Sequence, residues 1–350
     1  MRAGLINAYS THNIGDAAIY CALAEMAQTD VVSAFTDVSS KDIPDIKIFP
    51  QLPPCDVYIS VGGDIFNNAR EYFVTKAFIK NLGQLLAHSQ STFLFGQSIP
   101  RSCHSLSFLL LTQILKRLGA VAVRDAQSYQ RLQQAGVPVK LSFDAAFALQ
   151  VSDAGQQIAT QHLAELEIDA KRAALISLRT FNSAMYGRGE QQFIHQMIEL
   201  CQVLKERGHQ PVLLLQSQIA EDPDFDVATQ ICDQVSGVSI FNPFEVKSNL
   251  PNWQIVMGAL AICHLIVGVR YHTSVLALAC GRIPFNLYYS NKGQDLCDRL
   301  GIPGCSITNF CPHLYMKEIE KTGDLYFDHN TLREIVKKDF KDCFLKASYT

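Results

Sequence analysis

The stretch Leu265–Lys292 reads LIVGVRYHTSVLALACGRIPFNLYYSNK. Its apolar run, Leu265 to Val269, is short and β-branched, as in a strand buried on both faces, and it stops at Arg270. Thr273 and Ser274 are N-cap candidates for the Ala/Leu-rich helix that follows, and Gly281 suits its end. Ile283 to Tyr289 reads as the next strand, delivering Ser290, Asn291 and Lys292 beyond its tip. Two strands joined by a helix run parallel, so both open on one sheet edge and Arg270, His272 and Lys292 can converge there. Such an edge, with cations around a helix N-terminus, favours an anion: a phosphate, a carboxylate or both. The alternative for Arg270 is an ion pair with a structural carboxylate.

The same grammar runs outward in both directions. Arg2 to Tyr9 is a strand opening into Ser10-Thr11-His12-Asn13-Ile14-Gly15-Asp16, followed by an apolar helix. Val57 to Val61 ends in Gly62-Gly63-Asp64, Phe93 to Phe95 in Gly96-Gln97-Ser98, and Val121 to Val123 in Arg124-Asp125. Gln150 to Lys171 reads as a linker containing a helix. Beyond it, Ala174 to Leu178 ends in Arg179, and Val212 to Leu215 ends in Gln216-Ser217. Strand after strand hands over to a helix through a glycine or a charged residue, the pattern of a doubly wound parallel sheet. No G-x-G-x-x-G follows the first strand, which disfavours a dinucleotide.

At 350 residues the chain suits two α/β domains, and three segments are expected: residues 1–155, residues 156–320, and a C-terminal helix in 321–350 packing back across the domains. A formal charge of −3 leaves no electrostatic footprint for nucleic acid. The eleven cysteines include no C-x-x-C pair, and the N-terminus lacks a basic-then-apolar leader pattern, which points to reduced thiols and a cytoplasmic protein. No metal-ligating cluster is evident. The most apolar window, Trp253 to Val269, is too short and interrupted to span a membrane, which leaves peripheral contact with the inner membrane face open.

In their order, these motifs resemble the polysaccharide pyruvyl transferase family. The resemblance is carried by N-x-G-D at Asn13 to Asp16, Gly62-Gly63, Gly96-Gln97, the R-D-x-x-S block from Arg124 to Gly136, Asp144 with Phe147, Arg270 with His272, and Tyr289 with Lys292. Three elements depart from the family pattern: Asp64 stands for a third glycine, the segment after Gly96-Gln97 is shortened, and Asp144-Ala145-Ala146-Phe147 replaces D-P-A-F.

The resemblance implies a GT-B-like fold, two Rossmann-like domains facing across a cleft. It also implies transfer of the pyruvyl group of phosphoenolpyruvate onto a sugar of a surface polysaccharide or its precursor, free or lipid-linked, forming a cyclic ketal. No cofactor beyond the phosphoenolpyruvate donor is expected. His272 is the candidate general acid and Asp16 the candidate base, with helix capping as the alternative for Asp16. Arg270, Lys292, Thr273, Ser274 and Arg179 are candidates for holding the donor. Asn13, Gly15, Gly62, Gly63, Asp64 and Gln97 are candidates for the acceptor side. Two other functions fit the same architecture: a glycosyltransferase using a nucleotide sugar, and a catalytically silent glycan binder.

Overall fold

The computed structural model describes residues 1–35, 37–67, 74–181, 190–220 and 223–349. The chain is α/β, with two fully parallel sheets and two compact units. The first unit comprises Met1–Thr11, Asp16–Leu149 and Asn330–Thr350; the second comprises His12–Gly15 and Gln150–His329.

In the first unit, β1 (Arg2–Ile6), β2 (Asp30–Ser33), β3 (Ile46–Ile48), β4 (Val57–Ser60), β5 (Thr92–Gln97), β6 (Ala120–Val123) and β7 (Lys140–Leu141) are ordered β3-β2-β1-β4-β5-β6-β7. From β1 the chain winds outward to β3, then re-enters beside β1 as β4. The strand order therefore reverses between β1 and β4, the position where ligands sit in open parallel sheets. Helices α1 (Ile14–Ala27), α2 (Lys76–Ala87), α3 (Ser105–Leu115) and α4 (Ala126–Gln134) alternate with these strands. Leu94, Val121 and Val123 from the sheet join Phe78, Leu85 and Leu111 from the helices in one buried cluster.

The second unit holds α5 (Asp153–Glu165), β8 (Ala173–Ser177), α6 (Glu190–Glu206), β9 (Gln210–Leu214), α7 (Phe225–Cys232), β10 (Ser239–Phe241) and α8 (Asn252–Ile262). These are followed by β11 (Leu265–Gly268), α9 (Tyr271–Ala279), β12 (Phe285–Tyr288), α10 (Asn291–Leu300), β13 (Gly304–Ser306) and α11 (Pro312–Thr322). Its strands are ordered β10-β9-β8-β11-β12-β13, reversing between β8 and β11. Leu265 and Val267 pack with Ile176, Leu213, Met197 and Phe285 in its core.

The Gln150 to Lys171 region is no linker. Its helix α5 packs along α8, because Gly155 and Gly258 bring the two backbones together; a Cβ on Gly258 would lie 2.2 Å from the Gly155 carbonyl oxygen. Ser152 caps α5 by accepting from the Gly155 amide at 3.0 Å.

The terminal helix, α12 (His329–Ser348), contributes Asn330 onward to the first unit. Phe340 on this helix meets Phe93 edge-on at 5.3 Å and Phe95 at 5.4 Å, and Lys140 bonds to Asp342 at 3.0 Å. Ile335 on the same helix is 43% exposed. Phe340→Ala removes a ring that is 1% exposed, so the chain is expected to lose about 3–5 kcal/mol in denaturant unfolding. A loss below about 1 kcal/mol would show that the helix does not brace the β5 face.

Candidate active site

The second unit's site is built where β8, β9, β11 and β12 end side by side. Asp224, fully buried just before α7, is its anchor. One of its carboxylate oxygens accepts the backbone amides of Gln216 at 2.7 Å and Ser217 at 3.0 Å. The same carboxylate takes the Arg270 guanidinium, with Nε at 3.0 and 3.1 Å from its two oxygens and Nη2 also bonded to it. Arg270 is only 6% exposed, so this pair is desolvated and short-range. Ser177 at the end of β8 supports the loop from below, its hydroxyl accepting the amides of Val269 and Arg270 at 2.9 and 3.1 Å.

Thr273 and Ser274 are not N-caps. Arg270 occupies the cap position, and the two hydroxyls lie inside the first turn of α9, fully buried. Thr273 donates to Gln216 Oε1 at 2.5 Å and Ser274 to Asn286 Oδ1 at 2.9 Å. Neighbouring strands offered these hydroxyls closer acceptors than their own backbone did. The amide nitrogen of Gln216 is buried without a hydrogen-bond partner, a donor held in reserve at the strand edge.

Around this scaffold lie the remaining cations. Arg179, two residues beyond β8, stacks over the Tyr289 ring at 4.7 Å and also donates to its hydroxyl. Lys292, in the first turn of α10, sits 5.3 Å from the Tyr271 ring centroid. The Tyr271 and His272 rings meet edge-on at 5.4 Å. Arg179, Arg270, His272 and Lys292 therefore occupy one edge of one sheet.

Asn13 and Gly15, expected on the acceptor side of the first half, group instead with the second unit. Asn13 bridges to Ser217, Ile14 donates its amide to the Gln216 carbonyl at 2.9 Å, and Asn13 Oδ1 accepts the Gly15 amide at 2.9 Å. Gly15 is a matter of space: a Cβ there would lie 2.0 Å from His272 Nδ1. The N-x-G part of the motif thus packs on the imidazole of the R-x-H motif.

In the first unit, Asp16, Gly62, Gly63, Asp64 and Gln97 gather at the ends of the central strands. Asp16 is 6% exposed and bonds to the Tyr9 hydroxyl. Burial, and then the Asp16 charge, push the neighbouring Tyr20 phenol well above its ordinary pKa, so it stays neutral. Gly62 lies against the Gly96 carbonyl, where a Cβ would come within 2.8 Å. Gln97 donates to the Gly63 carbonyl at 2.7 Å, and its own side-chain oxygen is buried without a hydrogen-bond partner. Arg124, 2% exposed, bonds to Asp144 at 2.6 Å and Ser98 at 2.8 Å, and reaches Asp64 at 3.4 Å. Among the described residues no group of three His, Cys, Asp or Glu side chains could hold a metal ion, and no helix is long and apolar enough to cross a membrane.

A profile of the polysaccharide pyruvyl transferase family matches residues 13–291, most of the chain. The chain belongs to that family. The match begins at the Asn13 that bridges to Ser217 and ends one residue before Lys292. No protein of curated function matches the sequence. Among solved structures, the fold is similar to UDP-N-acetylglucosamine 2-epimerase from Rickettsia bellii, with TM-score 0.62 and 10% identity over 100% of this chain and 97% of that one. It is also similar to UDP-GlcNAc 2-epimerase from Methanocaldococcus jannaschii (0.58, 7%, over 98% and 99%) and to a glycosyltransferase from Rickettsia africae (0.53, 9%, over 98% and 93%). At these identities the likeness is one of fold: two Rossmann-like domains of the GT-B-like kind.

Within this pyruvyl transferase family member, sequence reasoning passed over Asp224 and gave Gln216 no role beyond ending a strand. Only the side-chain network reveals either. Asp224→Ala, which strands the buried Arg270 charge, is expected to cost about 3–5 kcal/mol in denaturant unfolding; a cost within about 1 kcal/mol would mean water or another carboxylate takes over the arginine. Gly15→Ala is expected to displace the His272 ring, moving its imidazole NMR signals and costing about 1–3 kcal/mol of stability. Unchanged imidazole signals would show that α1, not the histidine, yields.

Proposed function

We propose that the protein transfers the pyruvyl group of phosphoenolpyruvate to a saccharide acceptor, closing a cyclic ketal on a sugar of a surface polysaccharide or its precursor. The observation that carries this reading is the convergence of Arg179, Arg270, His272 and Lys292 on one edge of the second unit's sheet, in a member of the polysaccharide pyruvyl transferase family. Phosphoenolpyruvate carries a phosphate and a carboxylate on three carbons, and separate cationic handles suit two anionic groups.

Arg270 is already paired with Asp224, so in this reading it positions the loop and offers donor N–H groups, while Arg179 and Lys292 offer two further cationic groups to the donor. The unsatisfied Gln216 amide adds a neutral donor for a phosphate or carboxylate oxygen. Thr273 and Ser274 hold the first turn of α9 in place through Gln216 and Asn286. His272 delivers a proton to the donor's methylene carbon, which turns the phosphate-bearing enol carbon into a cationic centre. One sugar hydroxyl attacks that centre, phosphate leaves with its C–O electron pair, and a second hydroxyl closes the ketal; each hydroxyl gives up its proton to a base. Asp16 is the base assigned to the acceptor hydroxyl, and Gly62, Gly63, Asp64 and Gln97 of the first unit hold the acceptor. Gly15 acts through the His272 ring it packs against, and Asn13 through the Gly15 amide it holds, rather than on the acceptor.

Thermal unfolding with phosphoenolpyruvate, and with UDP as comparison, tests the donor. A ligand at about 100 times its Kd stabilises the folded state by about 2.7 kcal/mol. Stabilisation by phosphoenolpyruvate is expected, and Arg179→Gln combined with Lys292→Gln should remove most of it. His272→Ala should keep the stabilisation and abolish release of inorganic phosphate in the presence of acceptor. Stabilisation by UDP and none by phosphoenolpyruvate would replace this reading with nucleotide-sugar chemistry.

A further inference from the structure

The outer face of the first unit formed by α2 and α3 has a chemistry the proposed reaction does not use. Helix α3 buries Leu111, Ile114 and Leu115, yet leaves Leu106, Leu109 and Leu110 exposed at 57%, 56% and 39%. Their i, i+3, i+4 spacing puts them in one stripe, which Gln113 and Arg117 extend. Helix α2 packs against α3 and adds an outward stripe of Lys76, Ile79, Lys80, Gly83 and Leu86, with Ile79 57% and Leu86 45% exposed. Five large apolar side chains on two adjoining helices exceed the scattered exposure that a soluble surface tolerates without purpose.

The stretch of chain that builds these two helices carries charge of one sign. From Tyr72 to Arg124 the chain contains no aspartate or glutamate, although it carries 33 of them in all. The same interval contributes Lys76, Lys80, Arg101, Lys116 and Arg117, every one exposed, while its remaining cation, Arg124, is buried on Asp144. Apolar residues bordered by the exposed Lys76, Lys80, Lys116 and Arg117 form the pattern of an interfacial surface, which inserts its side chains at the headgroup boundary and sets its cations against lipid phosphates.

We propose that the α2–α3 face seats the protein on an anionic lipid bilayer. A second copy of the chain fits the face poorly, because a two-fold contact would set its lysines and arginines against one another with no acid from this interval to pair them. The face is also continuous with a polar opening. Lys80 and Gly83 line a cavity of about 480 Å³ together with Asn7 and Gln84, and Lys80 borders a second of about 510 Å³ with Tyr9, Asp64 and Asn81. Asn7 is 3% exposed and its side-chain oxygen has no hydrogen-bond partner, leaving an acceptor for a sugar hydroxyl. Resting on the acceptor assignment above, this placement brings a lipid-linked saccharide to the first unit from the membrane side.

Flotation of the full-length protein with phosphatidylcholine vesicles, with and without phosphatidylglycerol, tests the docking. Binding is expected only to the anionic vesicles and should weaken as salt is raised. Lys116→Gln with Arg117→Gln should weaken it about 25-fold. Leu106→Glu with Leu109→Glu should abolish it while the far-UV spectrum and thermal midpoint stay those of the parent; if that pair disturbs folding, Leu106→Gln alone should still weaken binding. Absence of binding to phosphatidylglycerol vesicles, or unchanged binding in the leucine variants, would overturn the proposal. A dimer in sedimentation that the leucine substitutions dissociate would overturn it too, assigning the face to a second copy. Stabilisation by phosphoenolpyruvate is measured without vesicles, so either result can fail while the other stands.

Discussion

The second unit's site depends on one buried contact, the Asp224 carboxylate on the Arg270 guanidinium. Two charges taken out of water are costly to keep, and the structure offsets that cost with further hydrogen bonds. Asp224 also accepts two backbone amides after β9, so one carboxylate fixes the loop that carries Gln216 and the loop that carries Arg270. Both loops then have a single arrangement. Through Gln216 the constraint passes to Thr273 in α9 and to the amide of Ile14, and so to the segment that packs Gly15 on His272. An arginine without that carboxylate would be a stronger anion trap but a poorly located one. With it, the guanidinium is fixed in place, while Arg179 and Lys292 lie in contact with the Tyr289 and Tyr271 rings and are less deeply buried.

The first unit uses a comparable device. Arg124 follows β6 and is held by Asp144 from the far side of β7, with Ser98 and Asp64 on its other nitrogens. Motif blocks far apart in sequence, R-D at Arg124 and D-A-A-F at Asp144, are thus two halves of one buried ion pair. The neighbouring Asp125 has a separate local task, capping α4 through the Ser128 amide at 2.8 Å. Residues that identify the family therefore include scaffold as well as chemistry. Being in a motif does not make Arg124 or Asp144 a ligand contact.

The parts legible in the sequence were those with local causes. Central strands show as short β-branched runs because both faces are buried, and their ends show because a glycine or a charge follows at the sheet edge. The short strand β2 and the edge strands β3 and β13 carry too few apolar residues to stand out. Thr273 and Ser274 had the right residue type for caps, but a cap is a local bond and both hydroxyls found buried partners on other strands. The linker reading of Gln150 to Lys171 failed for a similar reason. Its small and polar residues allow close helix packing as readily as they allow a loop, and Gly258, about a hundred residues away, decides between the two. Asp224 sits among other acids in a polar run with nothing local to distinguish it; only the fold places it beside Arg270.

The two units also differ in how much change they can absorb. Asp224, Arg270, Gln216, Thr273, Ser274 and Ser177 are all less than a tenth exposed and each is tied into buried hydrogen bonds, so altering any of them leaves a buried polar group unmatched. That rigidity suits a small ligand of fixed shape, because the groups that grip it need no reorganisation. Asn81, Lys80 and Gln84, around the cavities of the first unit, are partly or fully exposed. A substitution there is paid mainly in water contacts and costs little folding energy. Saccharides differ in ring substituents and linkage far more than a three-carbon donor can. Under the proposed function, a buried network at the second unit's sheet edge and an open rim of Lys80, Asn81 and Gln84 at the first would let the accepted sugar change without disturbing the donor's site.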